Sequence, residues 1–166
     1  SQVKFDLNGE PYESAFLPTT AQVNFGGLKD GTTAYYGDDN TGDITIYNPT
    51  TMQNVGSIDM SSIFRQPQWS GVRFETFAIR DNEMFVSSRP FVNGSGSFYP
   101  ADSTIVNHIN LTTGQYTGTT FFSGTGLARR TIENWVDEQG NVFLVPGSIA
   151  LKIPAGSTEF DPNYEF

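Results

Sequence analysis

The chain has 166 residues, 18 acidic side chains against 9 basic ones, a net charge of −9 and no cysteine. Such a balance argues against nucleic acid or an anionic membrane surface as a partner. Without cysteine, disulfides, thiol nucleophiles and thiolate metal sites are excluded.

The length allows one domain with a sizeable core, since chains of this size bury roughly 70% of their unfolded surface. Fourteen Phe, seven Tyr and two Trp beside 17 Gly and 9 Pro are the profile of short strands joined by turns. Aromatic residues suit a pleated, half-buried surface, and Gly and Pro punctuate it. No segment sustains helical spacing. Nothing near Ser1 has the pattern of a secretion signal and no apolar run is long enough to span a membrane, so a soluble chain, mature or trimmed, is expected.

In chain order, residues 3–7 alternate briefly before a loop with Pro11 and Pro18. A first hairpin joins residues 21–25 to 32–36 through Lys29-Asp30-Gly31. After a polar loop, residues 44–47 turn back through Asn48-Pro49-Thr50-Thr51-Met52-Gln53 into residues 55–58. The clearest hairpin spans residues 74–87: both arms alternate apolar with polar residues, and Asp81-Asn82 supplies the turn. Residues 105–109 then lead through Asn110-Leu111-Thr112-Thr113-Gly114-Gln115 to residues 116–122. Residues 132–145 repeat the first hairpin type around Gln139-Gly140-Asn141, and residues 150–153 begin one more strand.

Both hairpin types recur about 50–60 positions apart, the spacing of a repeated small sheet. Together they give strand, Asp/Asn/Gly turn, strand, long loop, strand, Asn-x-Thr-Thr turn, strand, which is the order of a propeller blade. The expected fold is therefore all-β: antiparallel four-stranded blades forming a partial β-propeller, with units near 1–60, 61–123 and an incomplete 124–166. About three blades cannot close a ring that usually has four to eight. The sequence reads as a section of a longer protein; assembly with a second chain and a self-contained sandwich are the alternatives.

The final residues, Ala150-Leu151-Lys152-Ile153-Pro154-Ala155-Gly156-Ser157-Thr158-Glu159-Phe160-Asp161-Pro162-Asn163-Tyr164-Glu165-Phe166, carry a family likeness. They resemble the Lys-Ile-x-x-Gly-x-Thr-Glu-Phe-Asp-x-x-Tyr-x-Phe stretch of the DUF4374 family of Bacteroidetes β-propeller lipoproteins. The likeness implies a cell-surface or periplasmic protein associated with siderophore-dependent iron uptake beside a TonB-dependent outer-membrane transporter. Family members begin with a lipidated Cys and are longer; this chain lacks that residue.

In a blade, the loops after the second and fourth strands lie at one end. Arg65 with Trp69, Arg89 with Phe98 and Tyr99, and Arg129 with Arg130 are expected in such loops. Guanidinium and aromatic groups together suit an anionic, planar ligand such as a ferric catecholate siderophore. Pairing of these arginines with local carboxylates is the competing structural reading.

His108 is the lone histidine, in an expected strand and outside any nucleophile motif, and reads as structural, leaving no catalytic residue assigned. Asp38, Asn40 and Asp43 have the oxygen-rich composition that suits calcium, but match no complete binding loop and also read as turn residues. Glu75 and Glu133 hold matching repeat positions, which favours a structural role. The functional expectation is a non-enzymatic, extracytoplasmic ligand-binding protein without a required cofactor. A propeller-fold hydrolase or lyase, and an interaction module whose missing blades come from the same or another chain, stand beside it.

Overall fold

The computed structural model describes residues 2–5, 11–15, 23–30, 32–38, 43–60, 71–94, 97–100, 103–123, 131–146 and 149–164, with side chains described for 32–37, 43–60, 75–88, 105–120, 133–145 and 149–164. The described residues are all-β and fall into two compact units, Ser1–Asp59 and Met60–Phe166.

In the first unit, β1 (Gln2–Phe5) pairs with β2 (Pro11–Ala15), and a separate antiparallel sheet holds β3 (Val23–Asp30), β4 (Thr33–Asp38), β5 (Asp43–Asn48) and β6 (Gln53–Asp59) in sequence order. Ile44 and Ile58 face each other across β5 and β6, and both are buried. This cross-strand apolar pair sets the register, because a one-residue slip would carry both side chains to the opposite face.

The second unit begins with β7 (Gly71–Arg80), β8 (Glu83–Gly94), β9 (Ser97–Pro100), β10 (Ser103–Asn110) and β11 (Gln115–Ser123). Four of them form a meander ordered β11-β10-β8-β7, with β9 paired to the far end of β8. A further sheet follows, β12 (Thr131–Val136), β13 (Val142–Pro146) and β14 (Leu151–Ile153).

Alternation along the strands places Ala78, Phe85 and Val106 on one face of the middle sheet. They close a core with Val142, Leu144 and Ile153 of the next sheet, flanked by Val136 and Phe160. Each large side chain so buried contributes roughly 1.5–3 kcal/mol of transfer free energy. The first strands of the two sheets, β7 and β12, lie against one another. Successive meanders stacked face to face through their first strands are the arrangement of blades in a β-propeller, and the fold is a partial propeller of this kind.

The turns follow from local chemistry. Asn48 Oδ1 accepts from the Thr50 and Thr51 amides, and Asn110 Oδ1 does the same for Thr112 and Thr113. The chain then passes through the left-handed region, at Met52 with φ 59° and at Gly114 with φ 68°. Asp81 takes φ 53° in the two-residue turn between β7 and β8, a conformation that a short polar side chain tolerates. The Leu111 amide donates to the Asn82 carbonyl at 2.7 Å, so both tight turns of the middle blade lie at one end. The connections after β8 and β11 consequently leave from the opposite end, because antiparallel neighbours alternate in direction.

Two expectations change here. Arg89 and Tyr99 are not in a loop: Arg89 lies within β8 opposite Arg73, and Tyr99 lies within β9 opposite Val92. Phe91 and Val92 on one side of Asn93-Gly94, with Phe98 and Tyr99 on the other, are strand formers around turn residues, so the ladder extends where a coil was expected.

Candidate functional site

At the tight-turn end of the middle blade, polar side chains converge on Glu83. Arg80, the last residue of β7, is 7% exposed and donates through Nε (3.0 Å) and Nη2 (2.8 Å) to Glu83 Oε2. Its remaining donors reach carbonyls of the next blade: Nη1 to Gly140 (3.2 Å) and Pro154 (3.1 Å), and Nη2 to Ser157 (2.9 Å). The guanidinium carbon lies 4.7 Å from the Phe85 ring centre. Arg80 therefore acts as a pin between blades, and its fork geometry is what allows one side chain to serve a carboxylate and three carbonyls.

The other Glu83 oxygen, Oε1, lies 2.6 Å from His108 Nε2. Opposite it, His108 Nδ1 meets Thr117 Oγ1 at 2.5 Å. The His108 ring stacks on Phe85 with centroids 4.9 Å apart. An ionised carboxylate only accepts, so Nε2 carries the proton it donates to Glu83. The Thr117 hydroxyl can donate to Nδ1 of the neutral ring. It can also turn toward the His108 carbonyl, 3.3 Å away, and accept from Nδ1–H of the charged ring. Burial of Glu83 by itself would raise its pKa; hydrogen bonds and charge from Arg80 and His108 outweigh that and hold the carboxyl below the usual value.

A second polar knot orders the β12–β13 turn. Asp137 accepts from the amides of Gln139 and Asn141 and from Asn141 Nδ2 at 2.8 Å, while Asn141 Oδ1 receives the Ala155 amide. The Asn141 side-chain bond is the largest of several contacts holding the Asp137 carboxyl below its usual pKa.

The residue types of the Arg80 network differ from those at the matching positions of the first unit. Register matches Arg80 and Glu83 to Asp30 and Thr33 of the first unit. On either side of a shared bulge, His108 and Thr117 correspond to Ile46 and Val55, and Gly118 corresponds to Gly56. A departure from the repeat at these positions was visible in the sequence. His108 lies in β10, where a strand was expected, and its ring contacts Glu83 and Thr117. Glu75 and Glu133 both fall at bulges of first strands, β7 and β12, with Glu75 buried and Glu133 exposed.

Arg65, Trp69, Arg129, Arg130 and Asn40 lie outside the described residues. Arg89 and Tyr99 are placed by backbone at the end of the middle blade opposite the Arg80 network. Asp38 and Asp43 are cross-strand partners, and Asp59 faces Asp43 on the other side, so three carboxylate residues share one row. Among the described residues no group of three His, Cys, Asp or Glu side chains is placed to hold a metal ion.

No family model and no curated protein matches the sequence. Among solved structures, the chain is similar to virginiamycin B lyase from Staphylococcus aureus at 10% identity and a TM-score of 0.48, covering 98% of this chain and 61% of the lyase. It is also similar to a luciferin-regenerating enzyme at 9% identity and a TM-score of 0.27, covering 84% of this chain and 75% of that one. The chain thus spans about three fifths of the lyase's length.

Proposed function

We propose that the protein is a non-enzymatic, extracytoplasmic ligand-binding protein that takes a small anionic ligand at the loop-bearing end of its blades. A ferric siderophore is the leading candidate, passed on to a TonB-dependent transporter. The observation that carries this reading is the polarity of the middle blade. Its tight-turn end is occupied by a closed structural network, whereas the opposite end bears the long connections and Arg89. Loops on a rigid blade scaffold are where propellers take ligands, and arginines gathered at that end of a molecule of charge −9 would concentrate an anion. Remaining blades, from the same or another chain, would complete the face.

The test is calorimetric titration of a ferric catecholate chelate into the protein and into a variant with Arg65, Arg89, Arg129 and Arg130 all changed to Ala. Binding is expected in the first and absent in the second. Equal affinity in both removes the proposal.

The enzyme reading draws on a different observation, the 2.6 Å contact between His108 and Glu83, whose carboxylate is 35% exposed. A hydrolase or lyase using that pair would lose turnover in His108→Gln while keeping its fold.

A further inference from the structure

Thr117 is the extra residue of a β-bulge. His108 of β10 pairs with Gly118 and Ile109 pairs with Tyr116, which leaves Thr117 of β11 without an opposite number. The first unit builds the same bulge around Val55, with Ile46 paired to Gly56 and Tyr47 to Asn54. Since Ile46 and Val55 suffice to form it, the bulge itself does not require an imidazole and a hydroxyl at the matching positions of the middle blade. Bulges are over-represented beside active sites, where they re-aim a side chain.

Here the re-aimed group is an exposed hydroxyl set on a buried base. Thr117 is exposed, whereas His108 is 5% exposed. Thr117 Oγ1 lies 2.5 Å from His108 Nδ1, and His108 Nε2 lies 2.6 Å from Glu83 Oε1. Because the carboxylate holds the proton on Nε2, Nδ1 of the neutral ring turns its lone pair toward Thr117. Arg80 engages the other Glu83 oxygen and Phe85 stacks on the imidazole, which together fix the plane of the base. A hydroxyl against a base that a third group orients is the arrangement of an activated nucleophile. A Cβ on Gly118 would stand 3.9 Å from both His108 Nδ1 and Thr158 Oγ1, so the glycine leaves a gap bordered by the base and a second hydroxyl.

We propose that Thr117 is a site of covalent acyl transfer from an activated acyl ester or thioester, with His108 as general base and Glu83 as positioning residue. Thr117 Oγ1 gives its proton to His108 Nδ1 as it bonds to the acyl carbon. The bond from that carbon to the leaving oxygen or sulfur breaks, and the leaving group takes the proton from Nδ1. The Thr158 hydroxyl, at the border of the gap, is a donor for the acyl oxygen. A single transfer needs no turnover, so the inference goes beyond the ligand-binding reading without depending on it. With the enzyme reading it shares the His108–Glu83 pair, and it adds a nucleophile.

The probe is para-nitrophenyl acetate. Acetylation of each threonine is followed by peptide mass spectrometry in the whole chain and in Thr117→Ser, Thr117→Val, His108→Gln and Glu83→Gln. Thr112 and Thr113, exposed on the same hairpin, are the internal comparison, which holds even where a variant fails to fold. Thr117 should acetylate at least about a hundredfold faster than either, the scale of general-base assistance. Thr117→Ser should keep the label at position 117, and His108→Gln should lower its rate to that of Thr112. Glu83→Gln should slow labelling at least about tenfold, because an amide can donate to Nε2 and admit the other tautomer. The lone histidine gives one pair of ring-nitrogen resonances. These should report the proton on Nε2 in the parent and a mixture of tautomers in Glu83→Gln, a change that a merely structural carboxylate would not couple to labelling.

Labelling of Thr117 no faster than Thr112, an undiminished rate in His108→Gln, or a neutral parent ring protonated at Nδ1 overturns the inference. Release of nitrophenol that depends on His108 but persists unchanged in Thr117→Val removes the nucleophile and leaves the enzyme reading. Fast labelling of Thr117 with no binding of the ferric chelate removes the ligand-binding reading and leaves this one.

Discussion

Changing Arg80 to Ala should cost the second unit about 3–5 kcal/mol. The side chain is 7% exposed and makes five donor contacts, two to Glu83 and three to the carbonyls of Gly140, Pro154 and Ser157. Losing a partner for each carbonyl costs about 1 kcal/mol. The ion pair adds only about 1 kcal/mol because Glu83 is 35% exposed and screened by water. The contact over the Phe85 ring adds about 0.5–1 kcal/mol. These terms overlap, so the loss lies at or below their sum. Arg80→Lys should recover part of the loss, since an ammonium replaces the charge but cannot span four acceptors. Urea unfolding followed by Trp135 fluorescence reads the effect, because Trp135 stacks on Phe143 at 5.1 Å within the adjoining blade. A Trp69→Phe background isolates that signal. With a urea slope of about 2 kcal/mol/M, the midpoint should fall by roughly 2 M at unchanged slope. A loss under about 1 kcal/mol would refute the idea that Arg80 pins the two blades together.

Three other outcomes are expected. The folded-state pKa values of Glu83 and Asp137 lie below their ordinary values of 4.5 and 3.8. The stability they contribute is therefore fully present above those values and lost as pH falls through the lower folded ones, and Glu83→Gln or Asp137→Asn should flatten the acid limb of a stability-against-pH curve. At matching left-handed turn positions, Gly114→Ala should cost about 1–2 kcal/mol and Met52→Gly should gain up to about 1 kcal/mol, both read as chemical-denaturation midpoints. His108→Ile, copying Ile46 of the first unit, should cost less than about 2 kcal/mol, since Glu83 keeps Arg80 as its partner; a loss above 3 kcal/mol in the same assay would make the imidazole a main support of the blade.

The blade pattern could be read from residues alone because its signals are local. Alternation over residues 74–87, the Asn-x-Thr-Thr turns and the Asp81-Asn82 turn act within a few residues, and strand pairing in a meander joins chain neighbours. The sequence likewise placed His108 in a strand. It could not place Arg89 and Tyr99, because Pro90, Pro100 and the Gly-Ser run between them have loop composition, while the outcome depends on whether Phe91 and Val92 find a partner strand. Arg80 looked like an ordinary polar residue before a turn. Its partners Gly140, Pro154 and Ser157 lie 60, 74 and 77 positions away in the chain. Only the stacking of one blade on the next brings those carbonyls to its guanidinium, because hydrogen bonds act over about 3 Å and no local pattern encodes a partner that far along the chain.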